Sequence, residues 1–232
     1  MRTIGLLGGM SWHSTLTYYE RINQAVADTL GTERSAPILL HSVDQGALYQ
    51  AERTGAWRQL GHDLGRAALG LQHAGANGLF VCSNTIHHLL PVITAQLRIP
   101  AIHIADCVAD AAVARGHRTV GLLGTAFTVR RTDYVKRLQA HGLTVVVNED
   151  VVIDRTNRLI VDELTQGRMS SEATEHLSDA VDQLADRGAT VALLSCTELG
   201  LALTQAALPL IDSAHAHADA AAAWCLGEAP SG

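Results

Sequence analysis

The sequence predicts an α/β fold of two similar lobes, each with a four-stranded parallel sheet flanked by helices. Short runs rich in Val, Ile and Leu alternate with longer amphipathic stretches along the 232 residues. This alternation is typical of buried parallel strands joined by helices. The runs also form two sets of four that resemble each other. Two copies of this length predict two lobes and not a solenoid.

Eight apolar runs are the predicted strands. Each is short and bounded by polar or glycine-containing stretches, as strands buried on both faces are. In chain order they are Thr3–Leu7, Ile38–Ser42, Leu79–Val81, Ala101–Ile104, Thr119–Leu123, Thr144–Val147, Val191–Leu194 and Leu208–Ile211.

Amphipathic helices are predicted between the strands. Leu60, Leu64 and Leu71 recur at helical spacing and form one apolar face. Leu177 and Leu184 mark another, in the second half of the chain. Such stripes are expected to pack on the sheets.

An internal repeat relates the two halves. Thr3–Gly8 matches Thr119–Gly124, and Ala74–Ser83 aligns without a gap on Arg187–Cys196. The first lobe is predicted to comprise residues 1–105 and 213–232, and the second residues 106–212. Ligands of open α/β sheets lie outside the carboxyl ends of the strands. We therefore expect the active site in the cleft between the lobes.

Composition argues against several classes of partner. The formal net charge is −6 and aromatic residues make up 4% of the chain, so a nucleic-acid partner is not expected. No run of about 18 apolar residues occurs, so no membrane partner is expected. The N-terminus enters a strand-like run directly, which predicts a cytoplasmic protein. Its four cysteines should then be reduced thiols.

Polar residues follow the third predicted strand of each lobe. Cys196 lies where a helix should begin, and free N–H groups there would favour a thiolate and lower the thiol pKa. The alternative is a small cysteine that only packs well. The repeat aligns Ser83 with Cys196, and Cys82 with Ser195. Because successive strand residues point to opposite faces, Ser83 is predicted to face the site and Cys82 the packing beneath.

Glycine turns follow the first strand of each lobe, at Gly8–Ser11 and Gly124–Thr128. Their backbone amides could bind a carboxylate. The alternative is a tight strand–helix turn. The spacing is neither G-x-G-x-x-G nor that of a P-loop, so nucleotide binding has little support.

Twelve histidines invite a metal hypothesis that their spacing does not support. His87 and His88 are adjacent, and His215 and His217 lie two apart, so each pair should diverge on a helix. No H-E-x-x-H or C-x-x-C spacing occurs. No metal site is predicted.

Four short motifs occur in an order found in a known family. They are Ile4–Trp12, Asn84–His87, Gly121–Thr125 and Cys196–Glu198. Together they resemble the cofactor-independent aspartate/glutamate racemases over nearly the whole chain. The resemblance implies a small amino-acid substrate, no cofactor, a homodimer, and one thiol on each side of the substrate Cα.

The resemblance carries over residue by residue. The second family cysteine falls on Cys196, whereas the position of the first holds Ser83. The chain is most similar to a subgroup in which a threonine hydroxyl replaces the first thiol. Asn84, Thr85 and Thr128 match residues that hold the α-carboxylate of the substrate in the family.

The resemblance also implies substrate contacts at Gly9, Met10 and Thr197, and at Glu52, which lies where the similar subgroup faces the substrate side chain. A carboxylate there would repel an acidic side chain. The stretches that match the side-chain-binding Arg and Lys of some aspartate racemases contain neither residue. The identity of the substrate side chain therefore stays open.

Racemisation needs a base on one face of Cα and an acid on the other. Cys196 is expected to abstract a proton well, and the hydroxyl of Ser83 to work poorly in reverse. Two alternatives stay open. One is a one-thiol decarboxylase or isomerase of the same superfamily, and the other is a catalytically weakened amino-acid-binding protein.

Overall fold

The computed structural model describes residues 1–227, with only the backbone of Leu201. It contains two four-stranded parallel sheets flanked by helices, so the predicted fold class is confirmed. The chain divides into two units, one of residues 1–104 with 217 onward and one of residues 105–216. Residues 228–232, which the sequence assigned to the first lobe, lie outside the described residues. Within the described part, no helix is long and apolar enough to span a membrane.

The first unit holds a sheet with the strand order β2-β1-β3-β4. A 3-10 helix, Thr85–Leu89, follows its third strand directly. Its elements are β1 (Ile4–Gly8), α1 (Trp12–Leu30), β2 (Ile38–Ser42), α2 (Gln45–Thr54), α3 (Trp57–His73), β3 (Gly78–Val81), α4 (Leu90–Ile93) and β4 (Ala101–Ile102).

The second unit repeats this order in its own sheet, β6-β5-β7-β8. A second 3-10 helix spans Leu164–Gln166. The remaining elements of the chain are α5 (Ile104–Ala114), β5 (Thr119–Leu123), α6 (Ala126–Val129), α7 (Thr132–Ala140), β6 (Thr144–Val146), α8 (Asp150–Asp162), α9 (Ser171–Asp186), β7 (Val191–Leu194), α10 (Leu199–Ala202), β8 (Leu210–Asp212) and α11 (Ser213–Leu226).

The strand bounds differ from the predicted ones only near their ends. Ile104 begins α5 and does not extend the fourth strand. The eighth strand starts at Leu210, two residues later than predicted, because Pro209 has no N–H to donate to the ladder. Pro209 still takes part as an acceptor, since its carbonyl oxygen lies 2.9 Å from the amide nitrogen of Ala192.

Equivalent glycines let a neighbouring segment approach the central strand of each sheet. A Cβ atom at Gly5 would lie 3.0 Å from the Cβ of Ala76, and one at Gly121 would lie 2.9 Å from the Cβ of Leu184. The predicted apolar faces of α3 and α9 are buried in these layers. The repeated Ile/Val-Gly-Leu-Leu-Gly sequence thus has a packing cause, since a side chain at the middle of the strand would push the neighbouring segment away.

His217 lies on the part of α11 that belongs to the first unit, and it is fully buried. Its Nδ1 atom lies 2.8 Å from the hydroxyl of Tyr18, and its Nε2 atom lies 3.1 Å from the carbonyl oxygen of Ile102. A carbonyl oxygen can only accept, so Nε2 carries the proton and Nδ1 accepts from Tyr18. This imidazole is therefore neutral and joins α1, β4 and α11.

We expect acid to destabilise the protein through His217. Burial holds the pKa of its imidazole well below the ordinary value. The unfolded chain binds a proton at this residue below about pH 6.5, whereas the folded protein does not. The free energy of unfolding should therefore fall with decreasing pH below that value, by up to about 1.4 kcal/mol per pH unit from this group. Denaturant unfolding across this range should show a shallower loss for His217→Gln. Equal slopes in the two proteins would contradict the assignment.

Candidate active site

The first unit presents Ser83 at the end of its sheet. Leu7 of β1 pairs with Val81 of β3, and the amide of Cys82 donates to the carbonyl oxygen of Leu7 at 3.0 Å. Ser83 is therefore the first residue beyond the ladder, and it is 5% exposed. Cys82 is fully buried, and burial raises the pKa of its thiol.

The segment after Ser83 forms a 3-10 helix and not the regular helix that was expected. Asn84 is its N-terminal flanking residue and is buried, with no side-chain capping bond. Thr85 is half-buried at the first helical position. Both residues predicted to hold a carboxylate thus lie directly after the strand end.

Two adjacent histidines in this helix point to different partners, as their spacing predicted. His88 approaches the carbonyl oxygen of Thr85 at 2.6 Å and lies against the ring of Trp57. His87 turns into the unit, where its Nδ1 atom lies 2.7 Å from the carbonyl oxygen of Ser83. Reasoning from the sequence assigned no role to His87, because the spacing was tested only for metal binding.

The second unit presents Cys196 at the equivalent place. Leu194 ends β7, and the amide of Ser195 donates to the carbonyl oxygen of Leu123 at 2.7 Å. The Ser195 hydroxyl lies 3.3 Å from that of the buried Tyr134. Cys196 is 8% exposed and belongs to the hydrophobic core cluster of the second unit. Its side chain has a different hydrogen-bond partner from that of Ser195.

A buried carboxylate accepts a hydrogen bond from the Cys196 thiol. The Sγ atom lies 3.2 Å from Oε2 of Glu198, and the Thr197 hydroxyl donates to the same oxygen at 2.8 Å. Glu198 is itself buried. It was part of a recognised motif but had no assigned role, since a contact with a residue two positions away depends on the loop conformation.

The predicted lowering of the Cys196 pKa is wrong. Burial raises this pKa well above its ordinary value, and the negative charge of Glu198 raises it further. A helix dipole does not offset these effects, because α10 has only four residues. Cys196 therefore rests as a protonated thiol with a base within hydrogen-bonding distance.

Asp212 adds a second carboxylate near this thiol, and its charge also raises the pKa of Cys196. It ends β8, paired in the ladder with Leu194, and its Oδ1 atom accepts from the amide of His215 at 2.9 Å. A side chain at Gly200 would overlap its carboxylate. The sequence carried one signal for Asp212, namely its position at the end of a predicted strand.

In the first glycine turn, the amide of Gly9 is already bonded within the first unit. The N–H group of Gly9 donates to Oγ1 of Thr15 at 2.9 Å, and a Cβ at Gly9 would overlap the backbone of Val43. Gly9 also has a φ of 91°, in the region that favours glycine. Met10 is buried in the core of the first unit. These contacts of Gly9 are those of a tight strand–helix turn, the alternative interpretation.

The second glycine turn is built around two threonines. The Thr125 hydroxyl lies 3.2 Å from that of Thr128 and also caps α6. Asn157 accepts from the amide of Ala126 at 3.0 Å. Thr128 is buried. Asn157 was not predicted as a site residue, because it lies on another helix, 31 residues further along the chain.

Glu52 lies on α2, and its side chain has access to solvent. Partial burial of the carboxyl group nevertheless raises its pKa. Among the described residues, no group of three or more His, Cys, Asp and Glu side chains is placed to hold a metal ion.

Replacing Glu198 should make Cys196 more reactive. In Glu198→Gln the negative charge that raises the thiol pKa is removed, so the thiolate fraction should rise. We expect the iodoacetamide alkylation of Cys196 to accelerate roughly tenfold at mildly alkaline pH, measured by peptide mass spectrometry. Cys107 in the same digest is the control, and its rate should not change. A slower or unchanged reaction at Cys196 would show that the carboxylate does not hold the thiol in its protonated form.

Comparison with known proteins identifies the family of the chain. The model of the Asp/Glu/Hydantoin racemase family matches residues 7–221. The crystal structure of a candidate Asp/Glu racemase from Yersinia pestis is similar, with a TM-score of 0.90 and 37% identity over 97% of this chain and 100% of that chain. The crystal structure of an aspartate racemase homologue from Pyrococcus horikoshii is also similar, with a TM-score of 0.84 and 29% identity over 97% of this chain and 100% of that chain. A variant of arylmalonate decarboxylase shares the fold, with a TM-score of 0.56 and 15% identity over 98% of this chain and 94% of that chain. The chain belongs to the Asp/Glu/hydantoin racemase family.

Proposed function

We propose that the protein is a cofactor-independent amino-acid racemase in which Cys196 and Ser83 exchange protons with opposite faces of the substrate Cα. The observation that carries the proposal is the hydrogen bond from the Cys196 thiol to the buried carboxylate of Glu198. A thiol with its own base within 3.2 Å can be switched between acid and base, and racemisation needs both forms.

The proton of Cys196 moves to Glu198 when the thiol acts as a base. The resulting thiolate removes the Cα proton and becomes a thiol again. The carbanion is then protonated from the other face by the hydroxyl of Ser83. Glu198 returns its proton to Ser83 through solvent, so no net proton is gained or lost. In this scheme Glu198 gives a high-pKa thiol the base character that the helix terminus was expected to provide.

The intermediate carries negative charge on its carboxylate and needs donors already in place. Asn84, Thr85 and Thr128 are the proposed donors, supported by their match to the family motif and by their positions directly after strand or turn ends. Gly9 and Met10 are proposed to shape the site by packing, since the amide of Gly9 is already bonded.

Thr197 and Glu52 complete the proposed set. The Thr197 hydroxyl donates to Glu198, so it positions the base for Cys196. Glu52 is proposed to face the substrate side chain, where its charge would disfavour an acidic substrate. The cytoplasmic location and the homodimer expected from the sequence stay predictions, and sedimentation of the purified protein tests the second.

Removing the thiol should abolish proton exchange and leave the fold intact. Cys196→Ala should lose deuterium incorporation at Cα by several orders of magnitude, because no group on that face can replace the thiol. The measurement is exchange in D2O with a panel of all amino acids of both hands. Activity close to wild type in this variant would eliminate the mechanism.

Cys82→Ala is the matched control for that variant. It removes an equally small thiol from a fully buried position one residue before Ser83. The cavity should cost about 1 kcal/mol of unfolding free energy and leave the exchange largely intact. Loss of turnover in this variant would mean that Cys82 and not Ser83 is the counterpart of Cys196.

The two hands of the substrate should differ in rate. One direction begins with abstraction by a thiolate and the other with abstraction on the hydroxyl side, so wild-type exchange should be much faster from one enantiomer. Ser83→Cys should accelerate the slow direction, because a thiol is the better base. Equal wild-type rates, or no gain in the slow direction, would remove Ser83 from the mechanism.

A second function is favoured by the raised pKa of Cys196. A thiol that rests protonated suits a one-thiol decarboxylase, which delivers a single proton to a carbanion. Release of carbon dioxide from an arylmalonate, without Cα exchange of amino acids, would establish this activity. Amino-acid binding without either reaction would instead identify a catalytically weakened binding protein.

A further inference from the structure

We propose that His87 is a positioning residue that holds Ser83 in place through the Ser83 carbonyl group. The inference rests on the proposed function, in which Ser83 serves one face of the substrate Cα. His87 is buried and belongs to no proposed substrate contact. Its two ring nitrogens both meet backbone atoms of the first unit, and these contacts carry the proposal.

The two contacts fix the protonation of the imidazole. The amide of Ile104 donates to Nε2 at 3.2 Å, so that atom carries no proton. The proton lies on Nδ1, which donates to the carbonyl oxygen of Ser83 at 2.7 Å. The neutral side chain of His87 thus connects Ser83, the second residue after β3, to Ile104, the first residue of α5.

This bridge fixes more than one oxygen atom. The peptide unit between Ser83 and Asn84 is planar and trans, so its C=O and N–H groups point in opposite directions. Holding the carbonyl oxygen therefore sets the backbone rotation of Ser83 and the direction of the Asn84 amide. The hydroxyl of Ser83 and the first of the proposed carboxylate donors are oriented by the same hydrogen bond.

The anchor point of His87 is itself held from a second side. His217 donates to the carbonyl oxygen of Ile102, so two imidazoles bond the backbone on either side of His103. The ring of His103 lies 4.6 Å from that of His87, centre to centre. The bridge therefore ends at the first residue of α5, two residues after the backbone carbonyl that His217 holds.

Among its described residues, the second unit shows no equivalent of this bridge. Continuing the gapless repeat from Ser83 and Cys196 aligns His87 with Gly200. There the strand end is occupied by Asp212, which packs against Gly200. Positioning by an imidazole is thus confined to the hydroxyl side, so its loss should affect one face of the substrate only.

Two substitutions separate the contacts of His87. His87→Asn keeps a donor near the place of Nδ1 and loses the bond to Ile104. His87→Gln reaches toward the place of Nε2 and loses the donor to Ser83. Exchange in D2O is measured from each hand of the amino acid on which the wild type is fastest. The Ser83-dependent hand is the one that Ser83→Cys accelerates.

We expect His87→Gln to slow the Ser83-dependent hand by roughly 10- to 100-fold relative to the other hand, because misplacement of a reacting group has this effect. His87→Asn should keep the ratio of the two hands near the wild-type value. A loss of folded protein lowers the exchange rates of both hands by the same factor, so the ratio of the two rates does not change. Equal slowing of both hands by His87→Gln would therefore overturn the proposal.

A second measurement does not require activity. In Ser83→Cys protein, the introduced thiol and Cys196 are alkylated by iodoacetamide in the same sample. Adding His87→Gln should raise the rate at the introduced thiol severalfold and leave that at Cys196 unchanged, whereas His87→Asn should change neither. An unaltered ratio of the two rates would refute positioning by His87. Failure of the racemase proposal shows separately, as absence of exchange in wild type.

His176→Asn is the matched control for loss of a buried imidazole. His176 is a buried histidine of the second unit, and its Nε2 atom lies 3.0 Å from the hydroxyl of Thr156. It contacts neither Ser83 nor Cys196. This variant should leave both ratios at their wild-type values, and a change of the same size as in His87→Gln would make the effect structural.

Discussion

The parallel pairing of the third strand of each unit with its central strand determines where the chemistry can occur. β3 pairs in parallel with β1, and β7 pairs in parallel with β5. The chain therefore leaves each ladder after a buried residue, which is Cys82 in the first unit and Ser195 in the second. The next residue, Ser83 or Cys196, must turn the other way. A shift of one position in either ladder would bury that residue in the packing and present Cys82 or Ser195 instead.

Desolvation then determines the protonation state of the Cys196 side chain. Burial removes water from the sulfur, and two nearby carboxylates add to the effect. The thiol is therefore protonated at rest. In the proposed mechanism, Glu198 must accept the thiol proton before the sulfur can take one up from the substrate. On the hydroxyl side the structure uses neutral imidazoles in place of carboxylates. Ser83 and Cys196, the two proposed proton-exchanging residues, thus have chemically different surroundings.

Patterns that are local in sequence predicted the fold well. Three of the strand ranges, Ile38–Ser42, Thr119–Leu123 and Val191–Leu194, have the predicted bounds, because short runs rich in branched apolar residues are typical of buried parallel strands. The alignment of Ser83 with Cys196 also came from the sequence, through the repeat. The predictions that failed concerned the burial of side chains and their hydrogen-bond partners. The Cys196 pKa depends on burial and on nearby charges, and the amide of Gly9 is bonded to the hydroxyl of Thr15, a contact that no local pattern predicts.

The protonated state of Cys196 has a consequence for the chemical durability of the protein. Peroxides attack thiolates and not thiols, and the first product is a sulfenic acid. A sulfur that is kept protonated by burial and by Glu198 is a poor target for this oxidation. In the proposed mechanism, Glu198 would therefore both accept the thiol proton during turnover and protect the sulfur from peroxide between turnovers.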